Sequence, residues 1–321
     1  MGASEIRIVV AGDGFKALRE HLTRALPGIV LNAIEPQILR RDGACASVLI
    51  PTMSRIDGEM MDRITGLRLI QQWGAGLEGV DLAAAQQRGI AVANVPSAGT
   101  GNAVSVAEWC VMAAIALSRR LPELDKTIRQ GSAWGGPMGR GLRGRTAGIL
   151  GLGGIGRELA VRLKSFGMRL VGLKREAEAA IAARLGLDWL GGESDLQEFL
   201  EQTDYLFLCL HLNSRTRGFI GERELASLPA GACIINGARG ALIDEEALVK
   251  ALVSGHLSGA ALDVFAQEPL DPNSRLLQIP SVIATPHIAG VTDISYSDIA
   301  RLVAENVTRL LSGAELANRV V

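Results

Sequence analysis

The chain has 321 residues, 48% of them hydrophobic and 21% charged, a balance that excludes disorder as the main state and allows two domains with cores of their own. Thirty-three Lys plus Arg against 34 Asp plus Glu leave a formal charge of -1, and with no basic cluster interleaved with aromatics, nucleic acid is excluded as an expected partner. Apolar runs such as Tyr205 to Leu210 are far below the roughly 18 to 20 residues of a membrane span, so no membrane partner is expected either.

From the N-terminus, residues 1–10 lead directly into strand-like alternation, without the basic region, apolar core and cleavage site of a secretory signal. Short apolar runs then alternate with helical stretches at 6–10, 15–26, 46–50, 60–64 and 67–71, a βα pattern. The Gly12-Asp13-Gly14 turn lacks a third glycine at the spacing of a dinucleotide fingerprint and is read as an ordinary turn. A long apolar helix is predicted over 101–121, with Pro122 marking its last turn or a kink, and a glycine-rich crossing loop over 131–148. After a buried strand at Thr146–Leu150, strands and helices alternate through 168–173, 176–185, 204–210, 222–228, 232–235, Glu245–Val253, 260–264 and Val282–Ala284, which predicts one doubly wound sheet. A last helix over 293–311 is placed to return the chain to the first domain.

The strand at 146–150 delivers Gly151-Leu152-Gly153-Gly154-Ile155-Gly156 straight into a helix. That context turns a weak pattern into a dinucleotide-binding turn. Gly151 allows the tight bend, Gly153 lets backbone approach a pyrophosphate, Gly156 permits close helix–sheet packing, and the backbone from Gly154 and Ile155 opens the helix N-terminus toward phosphate. Lys174 lies 23 positions after Gly151, where an acid that binds the ribose is expected, and is followed by Arg175. Two charge-assisted donors in place of a carboxylate favour a 2′-phosphate, hence NADP over NAD.

Histidine is scarce, at four residues, so each is a short-list candidate for acid–base work. Arg239, Glu268 and His287 each follow an apolar strand segment, and together they are the candidate catalytic group above the carboxyl edge of the sheet. The four cysteines, Cys45, Cys110, Cys209 and Cys233, fall in no CxxC or Cys/His arrangement. Free thiols, a reducing cytoplasm and no metal site are therefore expected.

These segments, together with Leu69-Ile70-Gln71, Gly74-Ala75-Gly76, Val80-Asp81-Leu82, Ser105-Val106-Ala107-Glu108, Asn236-Gly237-Ala238-Arg239-Gly240, Leu262-Asp263-Val264-Phe265, Glu268-Pro269-Leu270 and Thr285-Pro286-His287-Ile288-Ala289-Gly290, span nearly the whole chain. Their order and content resemble the D-isomer-specific 2-hydroxyacid dehydrogenases. The resemblance implies an α/β protein of two doubly wound Rossmann-like domains with parallel sheets and a cleft between them. The substrate-binding domain is expected at 1–98 and 288–321, and the dinucleotide-binding domain at 99–287. It further implies that Arg239 clamps the carboxylate of a small anionic 2-keto or 2-hydroxy acid, with the backbone amides of Ala75 and Gly76 as a second cradle. His287 is implied as acid and base, oriented by Glu268, which stabilises its imidazolium. Asp263 is implied as acceptor for the nicotinamide carboxamide, with Ala238 and Gly290 also on the cofactor side, and a homodimer is implied as the assembly.

Departures are informative. Many relatives carry Asp where Lys174 stands, and an ungapped match puts Cys209 where they often have His and His211 where they often have Pro. The leading expectation is NADPH-dependent reduction of glyoxylate or hydroxypyruvate, with NAD as the other cofactor. The alternatives are a 3-phosphoglycerate dehydrogenase, although no regulatory domain is expected after Val321, or a dinucleotide-sensing corepressor-like binding module. Formate dehydrogenase is disfavoured because its pattern has Gln where Glu268 stands. Met53, Trp73 and Trp134 are candidates to line the substrate pocket, Trp134 equally a packing residue, and His21 and His256 are assigned no site.

Overall fold

The computed structural model describes residues 6–12, 16–131 and 134–321. Asp13, Gly14 and Phe15, on which the early glycine turn and the first helix start fall, lie outside the described residues, as do Ser132 and Ala133 of the crossing loop. The chain divides into two compact units, Met1–Asn102 with Thr292–Val321, and Ala103–Val291. Both junctions fall four residues later than the sequence expectation of 98/99 and 287/288. Hydrogen bonds account for the difference. Gly101 N–H donates to Asp298 Oδ2 at 2.8 Å and Asn102 Nδ2 to Ser295 Oγ at 3.3 Å, which ties the first turn of the long helix to the C-terminal helix. At the other junction the amides of Ile288 and Ala289 donate to Asp263 at 2.8 Å, which keeps them with the second unit.

The first unit carries β1 (Arg7–Ala11), β2 (Val30–Ile34), β3 (Ala44–Cys45), β4 (Val48–Ile50), β5 (Ile64–Thr65), β6 (Leu69–Gln71) and β7 (Ala91–Ala93). Five form a parallel sheet in the order β2-β1-β4-β6-β7, and β3 pairs with β5 in a small ribbon. The helices Lys16–Ala25 and Asp293–Ser312 pack together against this sheet, burying Leu18, Leu22, Ile299, Val303 and Val307 with Ile8 and Val10. The C-terminal helix is sharply bounded, by a Thr292 side chain that caps Ser295 N–H and by Gly313 in a left-handed conformation.

The second unit carries β8 (Thr146–Leu150), β9 (Arg169–Leu173), β10 (Trp189–Gly191), β11 (Tyr205–Leu208), β12 (Ala232–Asn236), β13 (Leu257–Leu262) and β14 (Val282–Ala284). All are parallel, in the order β10-β9-β8-β11-β12-β13-β14. Strand order reverses between β8 and β11, which creates the crevice where doubly wound sheets bind ligands. Both faces are covered, and alternate strand residues enter two cores: Leu206, Leu208 and Ile234 on one side, Ile149, Phe207 and Ile235 on the other. Register brings the strand ends to one level, since Leu150 pairs with Leu173 and Leu208, Leu208 with Asn236, Asn236 with Leu262, and Leu262 with Ala284. Every loop leaving those strands therefore starts from the same edge.

The predicted 101–121 helix ends at Ser118, and a separate helix, Leu121–Arg129, follows. Arg120, at φ 53°, breaks the first helix, and Pro122 sits in the first turn of the second, where its missing N–H removes no bond. By length and composition alone the Gly101–Ser118 helix could cross a membrane, but 67% of it is buried inside the fold, as in a core helix.

Candidate active site

Three adjacent strand ends carry the candidate group. After β12, Asn236 is fully buried; its Oδ1 accepts from Ala238 N–H at 3.0 Å and its Nδ2 donates to Arg239 O at 2.9 Å. This holds the Arg239 loop in an extended conformation, and Arg239 Nη1 donates to Ala238 O at 2.6 Å. After β13, the chain passes Asp263 and Phe265 to reach Glu268, whose Oε1 accepts from Phe265 N–H at 2.9 Å. The two loops press together at Gly240, where a Cβ would lie 1.9 Å from the Phe265 carbonyl carbon. Only glycine lets the arginine-bearing and glutamate-bearing loops approach this closely.

After β14, His287 takes a left-handed backbone, φ 55°, uncommon for a residue with a Cβ. Asp263, 1% exposed, over-determines that conformation. Its main-chain oxygen accepts from His287 N–H at 2.8 Å, its Oδ1 from Thr285 Oγ1 at 2.6 Å and Ile288 N–H at 2.8 Å, and its Oδ2 from Ala289 N–H at 2.8 Å. A carboxylate has about four acceptor positions, so one on Oδ2 is left for a further donor. The loop so held brings His287 Nδ1 to 2.8 Å from Glu268 Oε2, both side chains about one-quarter to one-third exposed. Half-burial pushes the Glu268 carboxyl up, but the hydrogen bond and charge of His287, the Phe265 amide and the Arg239 charge outweigh it and hold the carboxyl below its ordinary range. Glu268 is thus ionised and accepting, Nδ1 carries the hydrogen, and Nε2 is the ring nitrogen left for chemistry.

The glycine-rich turn fits a dinucleotide for separable reasons. Gly151 has φ 101°, and a Cβ there would lie 2.7 Å from Cys209 O. A Cβ on Gly156 would lie 2.0 Å from Gly151 O, so that glycine seats the helix Gly154–Lys164 on β8. Gly153 caps the same helix, and a Cβ there would meet nothing within 4 Å. Open space above bare backbone at a helix N-terminus is what a pyrophosphate requires.

The family model for the D-isomer specific 2-hydroxyacid dehydrogenase NAD binding domain matches residues 111–289. The chain is 38% identical over 311 residues to a glyoxylate reductase of Thermococcus gammatolerans, covering 94% of this chain and 90% of that one. This chain belongs to the D-isomer specific 2-hydroxyacid dehydrogenase family. The match to a D-3-phosphoglycerate dehydrogenase of Archaeoglobus fulgidus is 30% over 286 residues, covering 88% of this chain and 53% of the relative, so the chain spans about half the length of that protein. The solved structure of a glyoxylate reductase from Paecilomyes thermophila superposes with a TM-score of 0.79 at 30% identity, covering 100% of this chain and 99% of that one. Because the matched region is the family's NAD binding domain, the cofactor class is a nicotinamide dinucleotide.

Other residues of this family member fall as follows. In the first unit Ala75 and Gly76 lie in the loop after β6, with Ala75 O accepting from Asn94 Nδ2 at 2.9 Å and Gly76 O from Gln72 Nε2 at 2.7 Å. Trp73 packs edge-on against buried Tyr296, ring centroids 5.5 Å apart, while Met53 is half exposed. Trp134 is 91% exposed, so among the described residues it does not act as a packing residue. In the second unit Lys174 is partly buried just past β9 and Arg175 is exposed. Gly290 follows the Asp263-bound amides. Burial pushes the Cys209 thiol up to about 12, so it stays protonated, and His211 lies exposed in the loop beyond it. His21 contacts Ala17 O one helical turn back, and His256 contacts Leu225 O, at the helix Glu222–Ser227. Sequence reasoning missed Asn236, Gly240 and Thr285 as positioning residues. The signal for Asn236 was a polar side chain ending an otherwise apolar strand.

Proposed function

We infer that the chain catalyses reduction of a small 2-keto acid, of the glyoxylate or hydroxypyruvate type, to the D-2-hydroxy acid, and the reverse oxidation. The observation that carries this reading is the His287–Glu268 contact at 2.8 Å beside Arg239, on adjacent strand ends of a sheet whose switch point bears the glycine-rich turn. The bound nicotinamide dinucleotide supplies or takes up the hydride. Arg239, permanently charged and fork-shaped, binds the substrate carboxylate and polarises the keto oxygen, and the backbone amides of Ala75 and Gly76 are the remaining donors assigned to that carboxylate. His287 Nε2 delivers a proton to the keto oxygen in reduction and removes it in oxidation. Glu268 is a positioning residue, holding the Nδ1–H tautomer and countering the charge of the imidazolium.

The amides and glycines of the turn, Gly151 to Gly156, are assigned to the pyrophosphate, and the remaining acceptor position of Asp263 to the carboxamide, with Ala238 and Gly290 flanking it. Lys174 and Arg175 are assigned to a 2′-phosphate, which makes NADP the preferred cofactor and NAD the other. A second copy of the chain is the proposed partner of the second unit's apolar groove, lined by Val111, Met112, Ile115, Leu121 and Phe166. The four free cysteines support a reducing, cytoplasmic setting.

The deciding experiment is a steady-state assay with NADPH and NADH against glyoxylate, hydroxypyruvate, pyruvate and phosphohydroxypyruvate. Turnover of glyoxylate or hydroxypyruvate is expected. No oxidation of either cofactor with any of them would abandon the enzyme reading for a dinucleotide-sensing binding module, and turnover confined to phosphohydroxypyruvate would favour the phosphoglycerate reading.

A further inference from the structure

The turn after β9 joins opposite charges. Lys174 Nζ donates to Glu178 Oε1, four residues on, immediately before the helix Ala179–Leu185. Arg175 is exposed, and among the described residues no carboxylate pairs with it. Arg157, in the first turn of the helix that opens at the glycine-rich turn, is anchored by its Nε to Leu152 O at 3.0 Å. Its charge, with that of Arg184, reaches the same glutamate. The Lys174 hydrogen bond first, then the charges of Lys174, Arg157 and Arg184, hold the Glu178 carboxyl below its ordinary range. Lys174 is therefore bonded to Glu178, and the charges of Arg157 and Arg184 add to the positive field at that carboxylate.

We propose that Glu178 is a specificity-determining residue, whose carboxylate competes with the cofactor's 2′-phosphate for the Lys174 ammonium. The inference rests on the reading of Lys174 and Arg175 as phosphate-facing. A carboxylate on that ammonium is a stand-in for a phosphate oxygen: a phosphorylated dinucleotide has to displace it, and the displaced charge repels the incoming phosphate, which carries about -1.5 to -2. An unphosphorylated dinucleotide leaves the pair intact, so Lys174 is not left desolvated and unpaired beneath a ribose. The acid missing from the end of β9 is thus supplied from four positions later, and it narrows the gap between the two cofactors.

The test is direct binding, without keto acid. Dissociation constants for NADPH and NADH are measured by nicotinamide fluorescence on the wild type, Glu178→Gln, Lys174→Ala and the double variant. Glu178→Gln is expected to tighten NADPH roughly tenfold while NADH changes less than about twofold, with the gain shrinking as salt is raised. In the Lys174→Ala background the same substitution is expected to give a clearly smaller gain, the part due to charge repulsion alone. An unchanged NADH-to-NADPH ratio in Glu178→Gln, or a gain of the same size without Lys174, overturns the proposal. Lys174→Ala alone tests the underlying reading: a fall in NADPH preference with no effect of Glu178→Gln removes only the role of Glu178, whereas no fall removes both.

Discussion

His287 holds a backbone conformation that L-residues avoid, and the fold maintains it through one buried carboxylate, Asp263, bonded along the whole loop. Such over-determination keeps a ring nitrogen in one place, as proton transfer requires. His287→Ala is expected to lower kcat by about 10² to 10⁴-fold with dinucleotide binding retained, read by comparing turnover with a fluorescence titration of the cofactor. Glu268 gives a pH prediction whose sign follows from its lowered carboxyl. A folded-state value below the ordinary 4.5 means its contribution to stability is complete above that pH and is lost as pH falls through the lowered value. Wild type should therefore exceed Glu268→Gln in denaturant midpoint at about pH 6, and the difference should shrink below about pH 4. A difference that grows on acidification would contradict the assignment. At the ribose end, Lys174→Asp with Arg175→Ala is expected to shift the NADPH-to-NADH ratio of kcat/KM toward NADH by at least about tenfold. These residues were legible because each rare or charged side chain followed an apolar segment, whereas the supporting Thr285 and Gly240 matter only through neighbours that the fold brings to them.

At the scale of elements, two glycines three positions apart separate folding from binding. A Cβ on Gly156 would collide with the Gly151 carbonyl, so Gly156→Ala should force the helix Gly154–Lys164 away from β8, cost about 1–3 kcal/mol of stability and weaken dinucleotide binding as well. Gly153 has φ -76° and open space around its Cβ position, so Gly153→Ala should stay within about 0.5 kcal/mol of wild type in denaturation yet bind the dinucleotide more weakly. Equal stability loss in both would refute the division of roles. The central strands were legible because they are buried on both faces and read as continuous apolar runs, as in Tyr205–Leu208 and Ala232–Asn236. Of the edge strands, Val282–Ala284 was legible, but others were not. Val30–Ile34 has an asparagine at its centre and no fully buried residue, and Trp189–Gly191 is three residues long. The second helix, Leu121–Arg129, was merged with its predecessor because the break is a backbone event at Arg120 rather than a compositional one.

For the whole molecule, the exposed apolar side chains Met112, Ile115, Leu121 and Phe166 set an expectation about assembly. Wild type should sediment at twice the chain mass of 33.9 kDa, and Met112→Glu with Leu121→Glu at that mass, with the thermal transition of each unit still present. A monomeric wild type would remove the second copy as the partner of this face. By itself the sequence determined the α/β class and the glycine-rich strand–turn–helix, and singled out Arg239, Glu268 and His287 as candidates, because buried parallel strands, glycine-dependent turns and side chains that follow an apolar run are local patterns carried in consecutive residues. Tertiary structure alone decided that β12, β13 and β14 are neighbours in register, that Asp263 secures the histidine loop, and that Gly240 meets the Phe265 carbonyl. Those facts depend on which segments lie side by side and how close their atoms come, and no local pattern encodes a distance between residues far apart in the chain.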